Sequence, residues 1–369
     1  LTPLVLDKAN GAMWEAQWEQ PTRHARGARR LDRESFHTET LVEIWKGGDP
    51  AEVPFSVESI RPFSKAVVLN TVDFIYGHSM PFLLDAARFR SLPSGTGLIA
   101  IVQPFLRWMV PRWVDEIWTV GVPLRDGRLF FPRVSERIEA ELTRFDDVHL
   151  SHAFTLPLAP VAIRDFVGIA PHDFSSEESR VTFIWREDPS RLWCRRSLAS
   201  AVAKRVAGRR MMVRYQLRKI VRLFTLIRKL NPDARFTVAG LGRSGHFPHW
   251  IEDHRVHSFD EVTERALCQL YSDSRLVIGV HGSHLLLPNL LAGMGLSLMP
   301  TGRWYSFGQD LMPYEGNEAL GIFTKRVLPV ETPTAVVAAI AASMLGFRDG
   351  YWRRMADPFS SPPRGRAEG

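Results

Sequence analysis

The residues in this sequence best placed to do chemistry stand in one turn, His281-Gly282-Ser283. Just upstream, Arg275 to Val280 is an apolar run too short for a helix, and it reads as a buried strand. Just downstream, Leu285, Leu286, Leu287, Leu290 and Leu291 supply the apolar stripe of a helix predicted to start directly behind the turn. In an open α/β sheet the unpaired amides and the positive dipole end of such a helix look over the strand tips, so the natural guest is an anion. His281 adds a donor for a phosphate oxygen, and Ser283 either caps the helix or offers its hydroxyl to the same anion. Turns of this kind also recur for structural reasons alone, so the surrounding elements decide.

Those elements alternate. AVVLN ending at Asn70 is a strand signal, followed by Asp73, Tyr76, Gly77 and His78 and a helix predicted from about Pro81 to Arg90. Strands are predicted at 98–102, 117–120 and 148–150, with an amphipathic helix over 134–145, so the first half reads β-α-β-α-β around a parallel sheet. Pro157, Pro160, Gly168, Pro171 and Ser175-Ser176 mark an interdomain connection. A second half follows, with strands at 180–185, 236–239 and 275–280 and helices at 197–207, 213–230 and 261–271; a last helix spans 335–345. The expected division is an N-terminal arm with short strands (1–60), an acceptor domain (61–156), a linker (157–178), a donor-binding domain (179–346) and a tail (347–369). The fold class is α/β, two Rossmann-like doubly wound domains facing a cleft, one half for a nucleotide donor and the other for its acceptor.

Composition fits this. The 369 residues, 45% hydrophobic, are enough for a large core, and a net charge of +7 suits an anionic ligand or an acidic surface. The arginine-rich run RHARGARR at 23–30 reads as part of a solvated arm, and no nucleic-acid module accompanies it. Two cysteines, Cys194 and Cys268, with no zinc-type spacing, suggest a reducing compartment. Localisation is expected to be cytoplasmic. Residues 1–40 show no apolar signal-peptide core, although a chain beginning at Leu1 leaves room for a removed leader. The 213–230 helix carries Arg214, Arg218 and Arg222 on one face, so peripheral membrane contact stands beside the plainer reading of a packed helix with a solvated basic face. There is no GxxxxGK[ST] pattern and no dinucleotide fingerprint after the first strand, which weakens ATPase and dehydrogenase readings.

VTFIWREDPSRLWCRR at 181–196 and VIGVHGSHLLLPNLLAG at 277–293 together resemble glycosyltransferase family 61, and MPFLLDAARFRSL at 80–92 is similar to a stretch of the family's first half. The resemblance covers roughly 60–310. It implies a GT-B scaffold and a metal-independent, inverting transfer of a sugar from a nucleotide donor, usually a UDP-sugar, to a hydroxyl of a glycan or protein, with no cofactor beyond that co-substrate. Arg186, with Arg195 or Arg196, would hold the diphosphate together with His281, Gly282 and Ser283; charge that develops on a leaving diphosphate must be met by arginines and fixed donors when no metal takes part. His284 departs from the family's glycine, and either contacts the ligand or points away.

An inverting transfer also needs a base near the acceptor hydroxyl. Asp73, His78 and Asp85 are the candidates; His78 is favoured, although it falls before the predicted helix where a histidine commonly caps or packs, and Asp85 equally suits a buried partner for Arg88. For the nucleoside, Trp304 or Tyr305 would stack on the base and Asp310 would take ribose hydroxyls; against that stands the plainer reading that these aromatics close the core edge. The alternatives are a GDP-fucose-dependent GT-B transferase and a non-catalytic relic that binds a glycan or partner.

Overall fold

The structure is a computed structural model that describes residues 4–7, 12–19, 24–31, 44, 46–151, 162–194, 206–311 and 318–346; the chain divides into two units, Leu1–Phe154 and Thr155–Gly369. Both carry mixed α/β structure built on largely parallel sheets.

Unit 1 opens with an antiparallel sheet of β1 (Leu4–Asp7), β2 (Ala12–Glu19) and β3 (His24–Leu31). Most of RHARGARR, read from the sequence as part of an arm, lies in β3, where Glu15 pairs in register with Arg29 and Glu19 with His24. The alternation Trp14-Glu15-Ala16-Gln17-Trp18-Glu19 was the signal, a period of two that the arginine run obscured. A second sheet follows in the order β4-β7-β6-β5-β8. Its strands are β4 (Phe55–Ser59), β5 (Lys65–Asn70), β6 (Thr96–Val102), β7 (Glu116–Val120) and β8 (Asp147–Leu150), all parallel except β4 against β7. β5 and β6 are buried on both faces, as central parallel strands require.

Helix α1 (Tyr76–Leu84) continues into a 3₁₀ turn, Asp85–Phe89. It begins five residues before the predicted start, with Pro81 inside it; ahead of it Asp73 Oδ1 accepts from the Ile75 amide at 2.7 Å in a turn. Helix α2 (Pro132–Leu142) leads to β8, which lies on the opposite side of β5 from β6.

In unit 2 six parallel strands run in the order β11-β10-β9-β12-β13-β14. They are β9 (Arg180–Trp185), β10 (Arg235–Leu241), β11 (Ile251–Val256), β12 (Ser274–Val280), β13 (Met294–Met299) and β14 (Lys325–Pro329). β11 and β14 escaped the sequence reading: both are sheet edges with half-exposed, charged compositions, IEDHRV and KRVLP. One face of the sheet is covered by α3 (Val206–Leu230) and α6 (Thr334–Gly346), whose Ile220, Phe224, Ile227, Val337 and Ala341 pack on Val181, Phe183 and Trp185 of β9. α4 (Glu261–Ser272) starts in a capping box between Asp260 and Thr263. α5 (Leu286–Leu291) has only six residues. Residues 162–178 are fastened to unit 2: Ser272 donates to the Ala170 carbonyl at 2.6 Å, and the His172 amide to the Leu291 carbonyl at 2.7 Å.

Candidate functional site

β9 and β12 are parallel neighbours with Ile184 opposite Gly279. Carried two residues beyond that pair, the register brings Arg186 level with His281. The chain leaving β9 passes through α3 to β10 on one side, and the chain leaving β12 passes through α5 to β13 on the other. Ligands of open α/β sheets settle at such a reversal, outside the carboxyl ends of the strands.

Three arginines gather there. After β9 a 3₁₀ turn, Pro189–Arg191, swings the chain back toward β12, and Arg191 Nη1 donates to the His281 carbonyl at 2.5 Å. The guanidinium lies against Gly282, where a Cβ would sit 2.1 Å from Nη1; Gly282 is glycine because the arginine passes there. Burial, then the charges of Arg303 and Arg186, push the Arg191 pKa down to about 10, with Asp188 and Tyr305 acting the other way. A partly desolvated cation with two cations for neighbours is an arrangement that an anion would relieve. Arg186 itself is held by Asp188 Oδ2, at 2.8 Å from Nε and 2.6 Å from Nη2.

The backbone of this loop is pinned from below. Fully buried Gln216 of α3 donates to the Arg186 carbonyl at 3.1 Å and accepts from the Trp193 amide at 2.7 Å. Glu187 accepts from the Ser244 amide and hydroxyl, both at 2.8 Å; burial works to raise its pKa, but these bonds and that from the Trp185 indole hold it below the usual carboxylate range. The glycine-rich loop after β10 serves this contact: at Gly240 (φ 122°) a Cβ would lie 2.3 Å from the Trp185 carbonyl oxygen, and at Gly242 2.5 Å from the Glu187 carboxyl carbon.

On the other side of the reversal, His281 is 2% exposed. Its Nε2 lies 2.9 Å from Ser306 Oγ, which donates its own hydrogen to the Arg303 carbonyl. The hydroxyl therefore accepts from the imidazole, so Nε2 carries the proton and is committed to tying the loop to the turn that bears Arg303. Ser283 begins a 3₁₀ turn, Ser283–Leu285, with Gly282 in the cap position, so of the two roles read from the sequence the helix cap is not the one it fills. α5 has only six residues, too few to concentrate a dipole at its start. Gly279 lets Leu285 fold back over the strand: a Cβ there would stand 2.7 Å from Leu285 Cδ2. His284 is half-buried in the 3₁₀ turn.

Trp304 and Tyr305, in the turn Thr301–Ser306, are 43% and 86% exposed, so they do not close the core edge. Arg195 and Arg196 lie outside the described residues. Asp310 belongs to the short helix Gly308–Leu311, and its side chain lies outside them as well. Arg191 and Arg303 were missed by the sequence reading. Arg191 stood inside the quoted REDPSRLWCRR, and the proline two residues before it was the available sign of a turn aiming it back.

In unit 1, Asp73 and His78 come together beyond the carboxyl end of β5. His78 Nδ1 is 3.3 Å from Asp73 Oδ1 and 3.4 Å from Oδ2; both side chains are partly exposed. His78 stands in the first turn of α1 rather than before it. The Asp73 amide donates to buried Gln103 at 3.2 Å, which fixes the loop. Asp85 is 3% exposed, seven residues along from His78, while Arg88 is exposed. The arrangement can orient an imidazole with a carboxylate behind it, the usual equipment of a general base. Among the described residues no group of three or more His, Cys, Asp or Glu side chains is placed to hold a metal ion.

No family model and no curated protein matches this chain. Among solved structures, the chain is similar to one in the crystal structure of the GtfA/B complex, at 10% identity and a TM-score of 0.31, over 93% of this chain and 60% of that one. It is also similar to trehalose-6-phosphate synthase, solved in a study of enzymatic glycosyltransfer with retention, at 10% identity and a TM-score of 0.30, over 87% and 72%. The chain thus spans three-fifths of the length of its GtfA/B counterpart.

Proposed function

We propose that this protein is a GT-B-type glycosyltransferase in which unit 2, a Rossmann-like domain, holds a nucleotide-sugar, in the first instance a UDP-sugar, and unit 1 supplies the base that activates an acceptor hydroxyl of a glycan or protein. The observation that carries the reading is the gathering of Arg186, Arg191 and Arg303 around the His281-Gly282 loop at the reversal of a six-stranded parallel sheet. The likeness of 181–196 and 277–293 to glycosyltransferase family 61 supports it from the sequence side.

On this reading the departing diphosphate develops its charge between Arg191, Arg186 and Arg303, without a divalent ion. Asp188 holds the Arg186 guanidinium before the donor arrives. His78, oriented by Asp73, removes the acceptor proton as the sugar carbon is attacked from the face opposite the diphosphate, which inverts the anomeric centre. Asp310, Trp304 and Tyr305 would serve the nucleoside; Arg195 and Arg196 would add to the diphosphate grip.

The test is thermal unfolding with UDP and with GDP in the presence of EDTA. UDP should raise the melting temperature and Arg186→Ala should remove the shift. A larger shift with GDP reassigns the donor. Slow donor hydrolysis separates an enzyme from a binding relic, and the anomeric configuration of the released sugar reads the stereochemistry. Absence of any nucleotide shift overturns the reading.

A further inference from the structure

Helix α3 is 25 residues long, and eight of those residues are Arg or Lys while none is Asp or Glu. This one helix therefore carries more positive charge than the net +7 of the whole chain. Its inner face is accounted for: Val213, Gln216, Ile220, Leu223, Phe224 and Ile227 are buried against the sheet. Its outer face bears Arg210, Arg214, Arg218 and Arg222, all exposed and each four residues from the next, a row about 18 Å long at the helical rise. Like charges at this spacing repel, and no carboxylate within the helix can relieve them, so the row weakens the helix unless an anionic partner neutralises it.

Two apolar side chains stand in the neighbouring row of the helix. Met211 is 58% exposed and Tyr215 is 52% exposed, one turn apart and flanked by the arginines. They also border a groove of about 560 Å³, whose other wall includes Pro333 and Ala335 and whose one carboxylate is Glu331. Phosphates of a soluble polyanion would satisfy the arginines but leave Met211 and Tyr215 with nothing to enter. A layer of phosphates over hydrocarbon meets both demands.

We propose that the outer face of α3 docks on an anionic lipid bilayer, with Arg210, Arg214, Arg218 and Arg222 against headgroup phosphates and Met211 and Tyr215 at the acyl boundary. The inference stands independently of the transferase reading. Should both hold, the enzyme works on acceptors presented at a membrane surface.

The experiment is co-sedimentation of the full chain with phosphatidylcholine vesicles, with and without phosphatidylglycerol. The protein should pellet only with the anionic vesicles, and less as salt rises. Arg214→Glu/Arg218→Glu/Arg222→Glu should lower the partition coefficient about tenfold or more. Met211→Ser/Tyr215→Ser should lower it several-fold with the melting temperature unchanged, and this pair decides the matter if the triple variant fails to fold. Absence of pelleting, or pelleting unaffected by the triple change, overturns the proposal. So does serine-pair binding equal to the parent with displacement by soluble polyphosphate, which would reassign the face to a soluble polyanion. The UDP melt, read on the same variants, should not move, so failure here and failure of the nucleotide reading are told apart.

Discussion

Arg191 reaches across Gly282 to the carbonyl oxygen of His281, 2.5 Å away and ninety residues distant along the chain. The pair joins the two strands on either side of the sheet's reversal, and it gives the site its central charge.

A methyl group at position 282 cannot share space with that guanidinium. Gly282→Ala should displace Arg191, a flexible side chain, while leaving the sheet folded. We expect an unchanged circular dichroism spectrum and a nucleotide dissociation constant raised by about tenfold or more, the worth of one charge-assisted contact of ~1.5–3 kcal/mol, measured by calorimetry.

The Arg191 pKa is lowered in the folded chain to about 10, so the guanidinium carries a cost at neutral pH that diminishes only as pH climbs above 10. Removing that charge should therefore relieve the empty protein. Arg191→Met is expected to melt no lower than the parent without ligand, yet to show no shift with UDP. A variant that melts several degrees lower without ligand would mark Arg191 as a structural residue instead.

Gln216 bonds two backbone groups in a fully buried position, and leucine there orphans both the Arg186 carbonyl and the Trp193 amide. A loss of ~2–4 kcal/mol is expected in denaturant titration, from two buried polar groups left unsatisfied. Nucleotide binding should weaken too, because the loop that presents Arg186 loses its anchor.

Glu187, Glu252 and Asp253 are all held below their ordinary pKa values: burial works to raise each, but Ser244 outweighs it at Glu187, Arg180 and Arg235 at Glu252, and Arg255 at Asp253. Depressed carboxylates contribute stability that is present above their unfolded pKa values and lost as pH falls through the folded ones. Unit 2 should thus lose stability as pH drops below about 4, and Glu187→Gln should flatten that acid limb in a melting series.

If Asp73 and His78 form the base, His78→Ala should cut kcat by about 10²–10⁴ while leaving the UDP melt untouched, since the proposed nucleotide site lies in the other unit. Asp73→Asn should lower kcat less than His78→Ala does, because the carboxylate orients the imidazole from 3.3 Å.

Much of this was legible in the sequence where one physical signal dominates. β5, β9 and β12 are central, buried on both faces, and announced themselves as unbroken apolar runs. β11 and β14 are edges whose charged residues hide the pattern. Arg186 and the His281 loop were read from motif and turn chemistry. Arg191 and Arg303 were not, because proximity between residues ninety or more positions apart depends on sheet order, which no local window contains. The helix behind Ser283 was overestimated for the opposite reason: the leucines are core residues of a short turn, and their number mimicked a longer amphipathic stripe.

The strand order of unit 2 also sets a timetable. β9 is synthesised first, yet its partner on the other flank, β12, emerges only after β10, β11 and two helices, α3 and α4, have left the ribosome. Until then the proposed anion cradle cannot form, and any nascent fragment ending before Ser274 has β9 paired on one flank alone, with a sticky apolar edge that must be kept from neighbouring chains.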